Sequence, residues 1–174
     1  MIKKFVLPVV VLTVITLVIS VALAFTYQLT EPIINAGNQA AADAAKLIVL
    51  PNADGFVDID VTGIEGVSAA VQATNGAGFV FTTSAKGFAG DIVIMVGIDP
   101  NGVITGVTQL DGNETPGIGT QVAEEAYTSQ YVGQDSSLAG VSAISGATVS
   151  STAFHDAVSI AFNAYAALEG GEFI

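Results

Sequence analysis

The sequence predicts an α+β domain, an antiparallel sheet with flanking helices, preceded by a single N-terminal transmembrane helix. Three observations predict it. Residues 5–30 carry no charge, residues 56–110 are short β-branched runs separated by glycine, and residues 151–168 repeat apolar side chains at helical spacing. The expected division is a cytoplasmic tail and membrane helix over 1–30, a membrane-proximal helix and linker over 31–55, and an extracytoplasmic domain over 56–174.

The membrane helix is the clearest element. Twenty-six uncharged residues, "FVLPVVVLTVITLVISVALAFTYQLT", exceed the roughly 20 that suffice to cross a bilayer. Lys3 and Lys4 precede the stretch and Glu31 follows it. The positive-inside rule therefore keeps the N-terminus cytoplasmic and puts residues 31–174 on the outer face, with Tyr27 at the outer interface. "ALA" at 22–24 has the small-x-small form of a signal-peptidase site, so a cleaved leader is the alternative. The apolar run before that site is longer than an ordinary signal core, which favours a retained anchor.

Residues 31–54, "EPIINAGNQAAADAAKLIVLPNAD", are alanine-rich and read as helix up to Pro51. This is either a separate helix with Pro32 in its first turn or a continuation of the membrane helix. Five candidate strands follow: "FVDID", "AAVQA", "GFVFTTS", "DIVIMVGID" and "GVITGVTQL". "DPNG" at 99–102 makes a tight turn between the last two, so the strands read as consecutive and antiparallel. "DIVIMVGI" is apolar almost throughout, as in a strand covered on both faces. In the last helix, Phe154, Val158, Ala161, Phe162, Tyr165 and Leu168 form the buried stripe, and Gly170 and Gly171 end it.

Composition excludes several functions. Charged residues are 11% of the chain, and its only basic ones are Lys3, Lys4, Lys46 and Lys86. The sixteen carboxylates all follow position 30 and face two lysines there, a net charge of −14. Such a surface repels nucleic-acid phosphates. The absence of cysteine rules out disulfides, thiolate zinc sites and cysteine-held iron–sulfur clusters. His155 is the one histidine, so neither a multi-histidine metal site nor a serine triad can be assembled. It reads as solvent-facing. No stretch spaces its carboxylates as a calcium loop does, and "DGNE" at 111–114 reads as a turn.

Two glycine loops remain. "ETPGIG" at 114–119 is either a turn into the helix "TQVAEEAY", with Thr115 as cap and Pro116 in the first turn, or a loop whose glycines let the backbone approach a flat ligand while Glu114 accepts from ring N–H groups. "SGATVSS" at 145–151 precedes the last helix, which Ser150 or Ser151 would cap. Small residues at 146 and 147 leave Thr148 open, and free N–H groups at a helix start suit a phosphate.

From about residue 67 onward, the stretches "GFVFTTSAKGFAGDIVIMVGIDPNGVITGV", "ETPGIG" and "SGAT" resemble the FMN-binding domain shared by the G subunit of the Rnf electron-transport complex and the C subunit of the sodium-translocating NADH:quinone reductase. The anchor followed by "TEPII", and the modest length, are similar to the G subunit of Rnf. In that family the threonine of SGAT carries FMN through a phosphoester, installed outside the membrane by a flavin transferase using FAD. The resemblance thus implies Thr148 as the attachment point, with Ser145, Gly146 and Ala147 in its turn. It implies Glu114, Thr115, Gly117, Ile118 and Gly119 as a second loop near the flavin. The family's attachment motif often has aspartate three residues before the serine; here Ser142 stands there.

The implied function is a membrane-anchored electron-relay subunit with covalent FMN in an ion-translocating ferredoxin:NAD oxidoreductase, alongside other membrane and redox subunits. Two readings stand beside it. One is a free-standing exported FMN carrier or enzyme. The other is a flavin-free scaffold whose loops are only turns.

Overall fold

The computed structural model describes residues 2–169, so the expected stop at Gly170 and Gly171 lies outside the described residues. The chain forms two compact units, dividing after Ala41. The described residues of the first are all helical and belong to α1 (Ile2–Val49). Its stretch from Val6 is long and apolar enough to cross a membrane. Thr13, Thr16, Thr26 and Thr30 donate their hydroxyls to carbonyls four residues back at 2.9 Å. Those hydroxyls need no water, which suits an apolar surrounding. Pro32 lies inside α1, so the membrane-proximal segment continues the first helix and does not begin a new one.

The second unit, from Ala42 on, contains the last turns of α1 and a five-stranded sheet: β1 (Phe56–Ile59), β2 (Val67–Ala73), β3 (Phe79–Lys86), β4 (Asp91–Ile98) and β5 (Ile104–Asp111). The strands pair in chain order, all antiparallel, as the short glycine turns between them require. β4 lies between β3 and β5 and is buried on both faces, which explains its unbroken apolar run. Ile92, Ile94, Val96 and Ile98 belong to one core and Met95 to the other.

The larger core lies under α3 (Thr148–Glu169), whose Phe154, Val158, Ala161, Phe162 and Tyr165 are buried as the periodicity predicts. Buried Thr83 of β3 donates its hydroxyl to Ala157 O at 2.8 Å and so fixes the helix along the sheet. On the opposite face Ala45, Val49 and Leu50 pack against Val71, Val80 and Met95. There the paired glycines Gly97 and Gly106 make room for α1, since a Cβ on Gly106 would stand 2.8 Å from Val49 Cα.

Two helical expectations change. "TQVAEEAY" is not one helix: a 3-10 turn (Gly119–Ala123) leads to the single-turn α2 (Glu125–Thr128) and a second 3-10 turn (Ser129–Tyr131). Packing decides this, because Val122, Tyr127 and Tyr131 must all reach the core from a short connection. Tyr127 and Tyr131 stack edge to face at 5.6 Å, and both contact Phe154 of α3. Burial, with the Tyr127 hydroxyl 3.1 Å away, pushes the Tyr131 phenol well above its ordinary range. His155 is half-buried against the Tyr131 ring and is not solvent-facing, because this cluster reaches the helix flank.

Candidate functional site

α3 begins three residues earlier than its hydrophobic stripe suggests, so Thr148 is its first residue and does not stand in the turn before it. Ser150 and Ser151 therefore lie within the first turn, both buried, and neither is the cap. Ser151 instead accepts the Ile144 N–H at 3.0 Å through its hydroxyl, pinning the turn from behind. That turn closes where Ala147 N–H donates to Ile144 O at 3.0 Å, with Gly146 at φ +85°, a conformation strained for any residue with a Cβ. Ala147 is buried, whereas Thr148 and Val149 are exposed.

The bond from Ser151 N–H to Ala147 O, 2.9 Å, is the first of the helical series. Among the described residues no backbone carbonyl accepts from the N–H groups of Thr148, Val149 or Ser150. Three free donors thus lie at the positive end of a 22-residue helix whose first residue, Thr148, is exposed.

The second loop leaves β5 and turns on Thr115, whose carbonyl accepts from Ile118 N–H at 3.1 Å and Thr120 N–H at 3.2 Å. Thr115 is a turn residue here, and no side chain caps the 3-10 turn that follows. Gly117 sits at φ +73° inside it. Gly119 is required for a different reason: a Cβ there would stand 2.7 Å from Glu114 Oε2 and 2.8 Å from Ser150 Oγ.

Between the two loops opens a cleft of about 500 Å³, within the usual range for small-ligand sites. Thr148, Gly146 and Ala147 line one side and Thr115, Ile118 and Gly119 the other. Ser145 and Gly117 belong to the loops without lining the cleft, and Ser142 lies outside it. Glu114 is also absent from the lining: it is 4% exposed and lies behind the cleft wall, accepting from the Ser150 hydroxyl at 2.5 Å and from Ala89 N–H at 3.2 Å.

Three lining residues were not anticipated. Phe88, in the four-residue turn between β3 and β4, is 71% exposed, Val149 is 54% exposed, and Ser150 contributes to the floor. The signal for Phe88 was present in "GFAG", since a lone aromatic between turn glycines has no core to enter. With Ile118 at 50%, Phe88 and Val149 place three exposed apolar side chains around one opening. Such clustering marks a binding surface, whereas single exposed apolar residues mark nothing.

These residues fit a flavin mononucleotide. The apolar rim suits a flat ring system, and the free N–H groups suit a phosphate at Thr148, where no lysine lines the cleft to neutralise it. Among the described residues no cluster of histidine or carboxylate side chains could hold a metal ion.

Comparison with known proteins bears on the same residues. The model of the FMN-binding domain matches residues 87–163, from the Phe88 turn through both loops into α3. The G subunit of the ion-translocating oxidoreductase complex of Methanosarcina acetivorans is 31% identical, over 93% of this chain and 95% of that one. The G subunit of the Na(+)-translocating ferredoxin:NAD(+) oxidoreductase complex of Acetobacterium woodii is 28% identical over 89% of this chain and 88% of its own. The crystal structure of Shewanella oneidensis NqrC is similar with a TM-score of 0.48 and 21% identity, over 68% of this chain and 67% of that one.

Proposed function

Because this chain belongs to the G-subunit family of ion-translocating oxidoreductase complexes and contains that family's FMN-binding domain, we propose that it is an electron-relay subunit bearing FMN on Thr148. The observation that supports this reading is the position of Thr148: exposed, at the first residue of α3 where three N–H groups are free, and lining the apolar-rimmed cleft.

The attachment step balances as a phosphoryl transfer. Thr148 Oγ1 replaces AMP on the flavin-side phosphorus of FAD, giving the phosphoester and AMP, with a flavin transferase supplying the catalysis. The hydroxyl proton leaves with the reaction's base. Once attached, FMN supplies the redox chemistry that the side chains of this chain lack. The chain's own residues do the rest. The α3 N–H groups would hold the remaining phosphate charge, Gly146 would let backbone approach it, Gly119 leaves room for Glu114 and Ser150 behind the wall, and Phe88, Ile118 and Val149 would exclude water from the ring. The tether also suits this protein's charge, since a domain of net −14 and no basic residue in the cleft would hold free FMN poorly.

In this reading α1 anchors the chain with Lys3 and Lys4 on the cytoplasmic side, and the sheet domain works on the outer face beside other redox subunits of the complex. The test is intact mass spectrometry of the full chain produced with and without a flavin transferase. The expected result is one added FMN that depends on the transferase and is lost in Thr148→Ala. An unmodified mass from the wild-type chain, or a flavinylated Thr148→Ala chain, refutes attachment at Thr148. The same spectrum reports removal of residues up to Ala24, which would refute the anchor.

A further inference from the structure

Glu114 belongs to a recognisable ligand loop, yet both its carboxylate oxygens are engaged inside the protein. Oε2 accepts from Ser150 Oγ, in the first turn of α3, two residues beyond Thr148. Oε1 accepts from Ala89 N–H, next to Phe88 in the turn between β3 and β4. The turn itself is shaped around the carboxylate: a Cβ on Gly87 would collide with Oε1. Three chain segments far apart in sequence therefore meet on one buried side chain, and all three contribute residues to the lining of the cleft.

We propose that Glu114 is a positioning residue that clasps the Phe88 turn to the first turn of α3 and so sets the width of the slot between Phe88 and Thr148. This rests on the reading of Thr148 as the flavin site. It replaces direct contact between Glu114 and the flavin ring, because no oxygen of the carboxylate is left facing the cleft. Among the described residues the other hydrogen bonds of the turn lie at the ends of its hairpin, where Gly87 N–H donates to Gly90 O at 2.8 Å and Lys86 pairs with Asp91. The clasp therefore decides how far Phe88 moves.

The chain has no tryptophan, so Phe88→Trp places one fluorophore on the turn of the full-length protein. In that background Glu114→Ala is expected to raise the open population of the turn about tenfold, the effect of losing one charge-assisted hydrogen bond, read as faster anisotropy decay and greater acrylamide quenching. Glu114→Gln reaches both partners, since the amide accepts from Ala89 and the Ser150 hydroxyl can reverse to accept, so it should stay near the parent. Ser150→Ala frees the helix arm alone and should give a smaller rise even if Glu114→Ala does not fold. In flavinylated protein with Phe88 intact, Glu114→Ala should increase iodide quenching of the flavin, while Phe88→Ala with Glu114→Ala should exceed neither single change by much.

A tryptophan signal in the Phe88→Trp background that neither Glu114→Ala nor Ser150→Ala changes overturns the clasp. Equal failure of Glu114→Gln and Glu114→Ala also overturns it, in favour of a direct role for the charge. If the wild-type chain carries no flavin, the attachment reading fails while the tryptophan measurements still decide the clasp.

Discussion

Residues 144–148 and 114–119 both turn on a glycine in the left-handed region, Gly146 at φ +85° and Gly117 at φ +73°, but they present opposite chemistry to the cleft. The first loop buries its methyl group, Ala147, and leads into an exposed hydroxyl residue, Thr148, at the start of α3. The second buries its carboxylate, Glu114, and exposes its apolar side chain, Ile118. Each inversion has a cause. Ala147 is buried because Ser151 anchors the turn from behind, while Glu114 is buried because two donors meet it and Gly87 and Gly119 leave it room. Polarity therefore does not identify which residue of a loop faces a ligand; the distribution of hydrogen-bond partners does.

The sharpest way to break this contrast is to fill the space around the carboxylate. Gly119→Ala should cost about 1–3 kcal/mol, because its Cβ drives into Glu114 and Ser150 and the first turn of α3 must move. Calorimetric unfolding in detergent checks it, and a variant as stable as wild type would mean that the close packing is not as described. Gly117→Ala and Gly146→Ala meet no atom within 4 Å, so each should cost only the left-handed backbone, about 1–2 kcal/mol. Gly146→Ala should additionally slow flavinylation, because it reshapes the turn before Thr148.

Asp99 offers a smaller, half-buried counterpart to Glu114. It accepts from Asn101 N–H at 2.8 Å and Val103 N–H at 2.9 Å in the turn between β4 and β5. Burial acts to raise its pKa, but the donors from Val103 and Asn101 outweigh it and hold the carboxyl below its ordinary 3.8. With the folded value depressed, the stabilisation is complete above the unfolded pKa and fades as pH falls through the folded one. Asp99→Ala should thus lose about 1 kcal/mol at neutral pH, and the deficit should shrink below about pH 4. Equilibrium unfolding at both pH values tests the sign. The smallest effect on stability is expected at the rim: Phe88→Ala should stay within about 0.5 kcal/mol of wild type, since the side chain is 71% exposed, yet it should increase quencher access to bound flavin. A large stability loss there would mean that Phe88 belongs to the core.

Much of the fold is legible in the sequence because its signals are local. β4 is apolar on both faces and α3 repeats its stripe at helical spacing, so neither depends on distant residues for its recognition. The segment 119–131 departs from its local helical pattern because its conformation answers to Tyr127 and Tyr131 finding Phe154, a contact with a residue more than twenty positions away. The start of α3 is hidden because Thr148, Ser150 and Ser151 look like caps; two of them have partners elsewhere in the chain.

By itself the sequence determined the apolar first helix, the order and antiparallel pairing of the strands, and the two loops worth attention, since charge-free length, short β-branched runs and turn glycines act over a few residues. Only the tertiary structure decided that Phe88 joins those loops, that Glu114 lies behind the wall and that Thr148 opens into the cleft. Those facts depend on which of several chemically suitable donors and surfaces are brought together by packing, and hydrogen bonds and close contacts, being short-ranged, are fixed only once β3, β5 and α3 have met.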